Sequence, residues 1–245
     1  MTTERLAAHT LPASPTRPGG FLGFLARMTG TDVQDLQRLV PVLTRMAAYL
    51  VAAFVLMLAL PRVAGGDAGR LFRESGPVQW TQLGFLVLTG GLLILAAAIH
   101  PARRGFYGAA AGVAMLALVR ELDSAFDRLI PVAGWKAAAA AVGLGLAGFA
   151  WWHRRSLITA LADQVDRRPF ALLFCGFLVV VPFAQLFGHG PLQRIILGEA
   201  YHPDIKRILE EIAELFGYFL LLLGAVECLL GARADPTPES PLQGF

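Results

Sequence analysis

Long apolar runs broken by short polar segments dominate the chain, and the breaks carry the punctuation that starts and stops helices. Six runs approach the ~20 residues that a helix needs to cross ~30 Å of hydrocarbon. They lie at 42–61, 77–98, 106–129, 133–152, 169–188 and 206–231. Pro61 ends the first, Gly76-Pro77 opens the second, and His100-Pro101 closes it. Pro169 stands near the start of the fifth run, Pro182 predicts a kink within it, and Gly231 ends the sixth. The pattern predicts an all-α polytopic membrane bundle of about six transmembrane helices.

The flanks read differently. Residues 1–30 form a tail with Pro12, Pro15 and Pro18, and the stretch from Phe21 to Met28, beside Arg27, suits a membrane surface. The transmembrane domain is expected over 31–232, opened by Thr31 as a helix N-cap with Asp32 in the first turn. Arg38 and Arg45, seven apart, share a face and can snorkel to one interface. Between the fourth and fifth runs, Leu157, Ile158, Leu161 and Val165 repeat at helical spacing and predict a short interfacial helix. Residues 233–245 form a second flexible tail with Pro236, Pro238 and Pro241. Small residues four apart (Gly108 and Gly112, then Ala139, Gly143 and Ala147) predict close helix packing.

Composition agrees with the pattern. Of 245 residues, 56% are hydrophobic and 16% charged, against about 25% charged in a soluble domain, and the mean hydropathy is +0.57. The net charge of +3 comes with no basic stripe interleaved with aromatics, which argues against nucleic acid. Membrane lipids and another membrane protein are the expected partners. Cys175 and Cys228 lie inside apolar runs and read as small buried hydrophobes. The first apolar run begins near Leu39, too far along for the apolar region of a cleavable signal peptide, so the first helix is expected to be retained. Arg103, Arg104, Arg154, Arg155, Arg167 and Arg168 fall in two short basic loops on one side. Positive-inside counting therefore predicts a bacterial-type inner (plasma) membrane protein with both termini cytoplasmic.

On that orientation the unusual polar residues gather at the external rim. Glu74, Gln79, Trp80 and Gln82 open the second run, and Arg120, Glu121, Asp123 and Asp127 close the third. Trp135 and Lys136 open the fourth, Gln185 and His189 close the fifth, and His202, Asp204, Glu210, Glu211 and Glu214 open the sixth. Arg120 would lie ~21 Å along a ~30 Å crossing, within the hydrocarbon boundary. Ionisable groups there require partners. Arg120, Asp123 and Asp127 follow i, i+3, i+7 and share a face, with Glu121 turned about 100° away. Glu211, Glu214 and Tyr218 form a second row, with Arg120 and Lys136 as the cations for the acids.

Two readings stand side by side: ion pairs that fix helix register, or a polar cavity open to the outside. The rim candidates are Arg120, Glu121, Asp123, Asp127, Lys136, Gln185, His189, Glu210, Glu211, Glu214 and Tyr218. No cofactor is expected on the first choice. The alternative is Zn²⁺ or Mn²⁺ on Asp123, His189, Glu210 and Glu214, acting on a lipid or peptide bond. A transporter or proton relay using Arg120, Glu121, Asp123, Glu214 and Glu227 is a further alternative. His100 and His153 lie at the rim opposite His189 and are expected to be solvated, so no bis-histidine haem pair is legible. GxSxG, HExxH, CxxC and Walker A patterns are absent from the sequence, and no pair of ExxH motifs exists for a di-iron carboxylate bundle.

Arg120-Glu121-Leu122-Asp123 followed by Trp135-Lys136, Glu210-Glu211 with Glu214 and Gly217-Tyr218, and the opening Glu74 to Gln82 together resemble a pattern in uncharacterised multi-pass bacterial inner-membrane proteins. The resemblance covers most of the helical part and implies that the rim is a unit, without implying an activity. The expectation is an integral membrane protein that binds or organises a ligand or partner through its charged rim.

Overall fold

The computed structural model describes Phe24, Met28 and residues 33–130 and 134–234. The expected tails, and the Thr31 cap with Asp32, lie outside these apart from Phe24 and Met28 in the first and Arg233 and Ala234 in the second, where the last helix runs on instead of ending at Gly231. About 90% of the described residues are helical, and none of them is in a strand. Residues 1–57 and 58–245 form two compact units, each taken by itself.

The first unit contributes most of α1 (Val33–Val63). Its apolar window has no buried residue, and Leu43, Leu50, Phe54 and Met57 are all exposed. The expected span at 42–61 lies inside this longer helix.

The second unit is built from α2 (Ala68–Leu71), α3 (Pro77–Ile99), α4 (Arg104–Glu121), α5 (Asp123–Leu129), α6 (Gly134–Trp152), α7 (Arg154–Gln164), α8 (Arg168–Leu178), α9 (Ala184–Phe187), α10 (Gly190–Leu197) and α11 (Pro203–Ala234). A 3₁₀ turn (Pro101–Arg103) precedes α4, and a π-helical turn (Val179–Phe183) joins α8 to α9. Pro182 lies in that π turn, where its missing N–H leaves a carbonyl free of its usual partner. Proline in the first turn opens α3, α8 and α10.

Helix α11 packs on α3 and α8, α3 packs on α4, and α4 carries α6 and α7 on its other side. The buried positions of α3, Val78, Gln82, Leu86, Thr89, Leu93 and Ala96, recur every three or four residues, which is the stripe an amphipathic helix turns to its neighbours. One buried cluster joins α3, α4, α7, α8 and α11 through residues such as Leu86, Tyr107, Ala160, Leu173 and Ala225.

Among the described residues, four helices are long and apolar enough to cross a membrane: Leu39–Val63, Pro77–Ile99, Arg168–Phe187 and Pro203–Arg233. A fifth exists if the bent pair Pro101–Glu121 and Asp123–Leu129 counts as one. This corrects the expectation of a continuous helix over 106–129, because α4 and α5 meet at 71°. The break falls at Leu122, whose backbone leaves helical geometry. The next residue, Asp123, puts Oδ1 2.5 Å from the Ser124 N–H and its charge at the start of α5, where the helix dipole favours an anion.

Close helix approach occurs partly where expected. Gly108 faces Phe149 and Gly112 faces Leu146, but Gly143 faces open space. The tightest crossing is α8 on α11. A Cβ at Gly176 would lie 2.9 Å from the Gly217 carbonyl and the Leu221 nitrogen, and one at Gly224 would lie 2.8 Å from Leu173. Overpacking a close crossing costs about 1–3 kcal/mol. Gly176→Leu is therefore expected to lower the unfolding midpoint in detergent clearly, and Gly143→Ala to leave it nearly unchanged. Equal midpoints for the two variants would contradict this packing.

Candidate functional site

Where α4 bends into α5 and α11 begins, a cavity of about 560 Å³ opens. Arg73 and Glu74 reach it from the segment before α3, and Gln79 from the first turn of α3. The bend contributes Arg120, Glu121, Asp123, Ser124 and Asp127, α6 contributes Trp135, and α11 contributes Arg207, Glu210, Glu211 and Glu214. The wall thus holds seven carboxylates against three guanidiniums.

Its floor is a set of cross-helix polar contacts. Arg120, in the last turn of α4, donates from Nη2 to Glu214 Oε1. The Glu214 side chain is 5% exposed and that of Arg120 38%. The pair therefore lies at the boundary between packed interior and cavity. The Tyr218 hydroxyl, on a wholly buried residue, donates to Glu121 Oε1 at 2.7 Å. Gln79 Nε2 donates to the Glu121 backbone carbonyl at 3.1 Å. Gln82, also wholly buried, donates from Nε2 to Glu211 Oε2 at 3.1 Å and to the Glu211 carbonyl at 3.2 Å. Together these contacts join α3, α4 and α11. A carboxylate or guanidinium this far from bulk water requires such charge-assisted bonds.

Two acids serve local structure. Asp127 Oδ1 accepts the Trp135 N–H at 2.9 Å, which ties α5 to the start of α6. Gly134, immediately before, has φ of +56°, a left-handed backbone that favours glycine. Asp123 accepts from Ser124 at the bend. Glu74 and Glu210 form no ion pair or hydrogen bond from their side chains among the described residues, so their carboxylates are available to a ligand.

The rim expected from sequence is brought together only in part. Arg120, Glu121, Asp123, Asp127, Glu210, Glu211 and Glu214 line the cavity, and Tyr218 supports it from below. Lys136 is exposed and outside the lining, because the bend turns the start of α6 so that Trp135 faces the cavity instead. The other cations are Arg73 and Arg207. Gln185 and His189 are exposed and do not line it either. What α9 offers to α11 is backbone: Gly188 lies against the Glu210 carboxylate, leaving no room there for a side chain. Arg120, Asp123 and Asp127 do not form one helical row, since the break at Leu122 separates them.

The proposed metal set of Asp123, His189, Glu210 and Glu214 is not assembled. Among the described residues no group of three His, Cys, Asp or Glu side chains is placed to hold a metal ion. Glu214 is already engaged by Arg120.

At the opposite end of the helices the expectation of solvated histidines is also corrected. His100 is buried, and His153 is half-buried, stacked on Phe149 with ring centroids 4.4 Å apart. Packing of α7 onto the start of α4 covers this end. Cys228 is buried as expected, whereas Cys175 is exposed, because α8 turns its other face to α11.

No family model matches the chain, and no curated protein or solved structure is detectably similar to it. The reading of the site rests on its geometry.

Breaking a buried ion pair from one side leaves the partner charge uncompensated, at a cost of about 3–5 kcal/mol. Arg120 is partly exposed, so Arg120→Met is expected near the low end, at about 3 kcal/mol. Adding Glu214→Leu should recover most of the loss in unfolding experiments, since it removes the stranded carboxylate. A double variant less stable than Arg120→Met would oppose this account. Tyr218→Phe is expected to cost about 1 kcal/mol through loss of one hydrogen bond.

Proposed function

We propose that the chain is a six-span integral membrane protein that binds a small organic cation in its charged cavity, on the non-cytoplasmic side. The observation that carries the reading is the wall itself: four more carboxylates than guanidiniums, with the Trp135 ring among them. Carboxylates supply the field for a cation, and an indole face adds cation–π attraction to an ammonium or guanidinium group. The volume of about 560 Å³ suits a small molecule. Arg73 and Arg207, which donate and repel cations, would disfavour a lone ammonium, so ligands that also present acceptors to them, or several amines to the surplus carboxylates, are favoured.

Membrane spanning is supported by the four long apolar helices and the bent pair. In this reading α6 is the sixth crossing. Its 19 residues extend ~28 Å, and it is rich in alanine and glycine. The apolar side chains that α1 leaves uncovered would face lipid. The arginines at the far end support a cytoplasmic side for that end.

Spermidine serves as a probe of the cavity. Titration calorimetry is expected to show binding that weakens with added salt. In the Glu74→Gln/Glu210→Gln variant binding should fall about tenfold, two partly exposed ion pairs being worth ~1–2 kcal/mol together. Undiminished binding in that variant would remove the cavity from the account. Orientation is tested by impermeant maleimide on whole cells, in a background lacking Cys175 and Cys228. Ser124→Cys should label in intact cells, and Ser156→Cys only after the membrane is opened. The reverse pattern would invert the protein.

A further inference from the structure

At the end of the second unit away from the cavity, α7 lies against the start of α4 and the 3₁₀ turn before it. The approach is tight, since a Cβ on Gly105 would lie 3.2 Å from the Leu157 nitrogen and 3.3 Å from Ser156 Oγ. Helix α7 buries only Ala160 and Gln164. Ile158, Leu161 and Val165 are exposed, and so are Trp151 and Trp152 just before it, at 72% and 82%. A surface helix that turns aliphatic and indole groups outward is not finished by water.

Its polar groups are unbalanced in the same place. Arg104, Arg154, Arg155, Arg167 and Arg168 are exposed there, against Asp163 and Asp166. Asp163 is shared, with one oxygen 3.4 Å from Arg103 and 3.8 Å from Arg167. Arg154 lies 5.1 Å over the Trp151 ring and donates to the Trp151 carbonyl at 3.0 Å. Arg104, Arg155 and Arg168 have no carboxylate partner among the described residues. Gln164, next to Asp163, is buried with its Nε2 donor unmatched. Among these exposed groups, five guanidiniums stand against two carboxylates.

We infer that this end of the protein is a seat for anionic phospholipid headgroups. Arg104, Arg155 and Arg168 meet phosphodiester oxygens, and Trp151, Trp152 and Ile158 enter the boundary of the acyl chains. Charge complementarity selects the anion, and the exposed indole and aliphatic groups select a lipid over a soluble anion, which would leave them in water. The inference rests on the membrane-spanning reading above and is independent of the cavity.

The test uses the full chain with Trp80→Phe and Trp135→Phe, so that Trp151 and Trp152 are the remaining fluorophores. The protein is reconstituted into phosphatidylcholine vesicles that contain, at equal mole fraction, either brominated phosphatidylglycerol or brominated phosphatidylcholine. Quenching by the brominated phosphatidylglycerol is expected to exceed that by the phosphatidylcholine. The lipid enrichment derived from it should drop about fivefold for each engaged arginine neutralised, in Arg104→Gln, Arg155→Gln and Arg168→Gln. The wild-type preference should also shrink at high salt, a readout that needs no variant to fold. Equal quenching by the two lipids, or a preference unchanged by salt, overturns the headgroup seat and leaves the membrane reading standing. No quenching by either lipid puts the indoles outside the bilayer and overturns both.

Discussion

The buried contact between Arg120 and Glu214 sets the terms for the rest of this fold. A guanidinium at the end of α4 and a carboxylate inside α11 cannot be left facing apolar surroundings alone. Each holds the other, and α4 and α11 are thereby fixed in register. The same demand extends sideways to Tyr218 with Glu121, and to Gln82 with Glu211, so that α3 joins the same network. Once those bonds are satisfied, the neighbouring carboxylates cannot all be satisfied as well. Glu74 and Glu210 are what remains, and a cavity rather than a packed seam results.

Glycine meets a second constraint. Helix α11 must approach α8 closely while still presenting Glu211, Glu214 and Tyr218 to α3 and α4. Gly176, Gly217 and Gly224 remove the side chains that would hold α8 away. Where helices meet without a solvent-driven force, such close contact is itself a source of attraction. On the other side of α11, Phe85 and Phe219 pack at 5.8 Å between centroids, so one face is built from absence of side chain and another from bulk.

Much of this was legible in the residues. Proline and glycine marked the helix starts, and the polar positions at one end of the third and sixth apolar runs do meet. What sequence spacing could not supply was the break at Leu122. Periodicity assumes an unbroken helix, and one residue of non-helical backbone moved Asp123 and Asp127 off the face of Arg120. Lys136 was a natural cation by proximity in the chain, but the turn held by Asp127 and Gly134 points Trp135 inward in its place. Arg73, before α3, and Arg207, near the start of α11, gave no signal in the sequence that they would converge. Burial of His100 depends on α7 folding back over α4, a tertiary event with no local signature. The close α8–α11 crossing was equally hidden, since glycines occur in five of the six apolar runs.

The two ends of the molecule use charge in opposite ways, and the difference follows from where the compensation comes from. At the cavity, the carboxylates that matter for stability are answered from within, by Arg120, Tyr218 and Gln82. Surplus negative charge there is confined to a concave space, where low-dielectric walls concentrate its field on whatever enters. At the arginine end the surplus is spread along a convex helix beside exposed tryptophans, and Asp163 can answer only Arg103 and Arg167. A concave acidic site suits a single small ligand, whereas a convex basic one suits an extended surface of opposite sign. With α4 and α11 running the full distance between them, the chain separates charge along its own axis. Such an arrangement is stable where each end meets a different medium, and in uniform water both surpluses would only repel themselves.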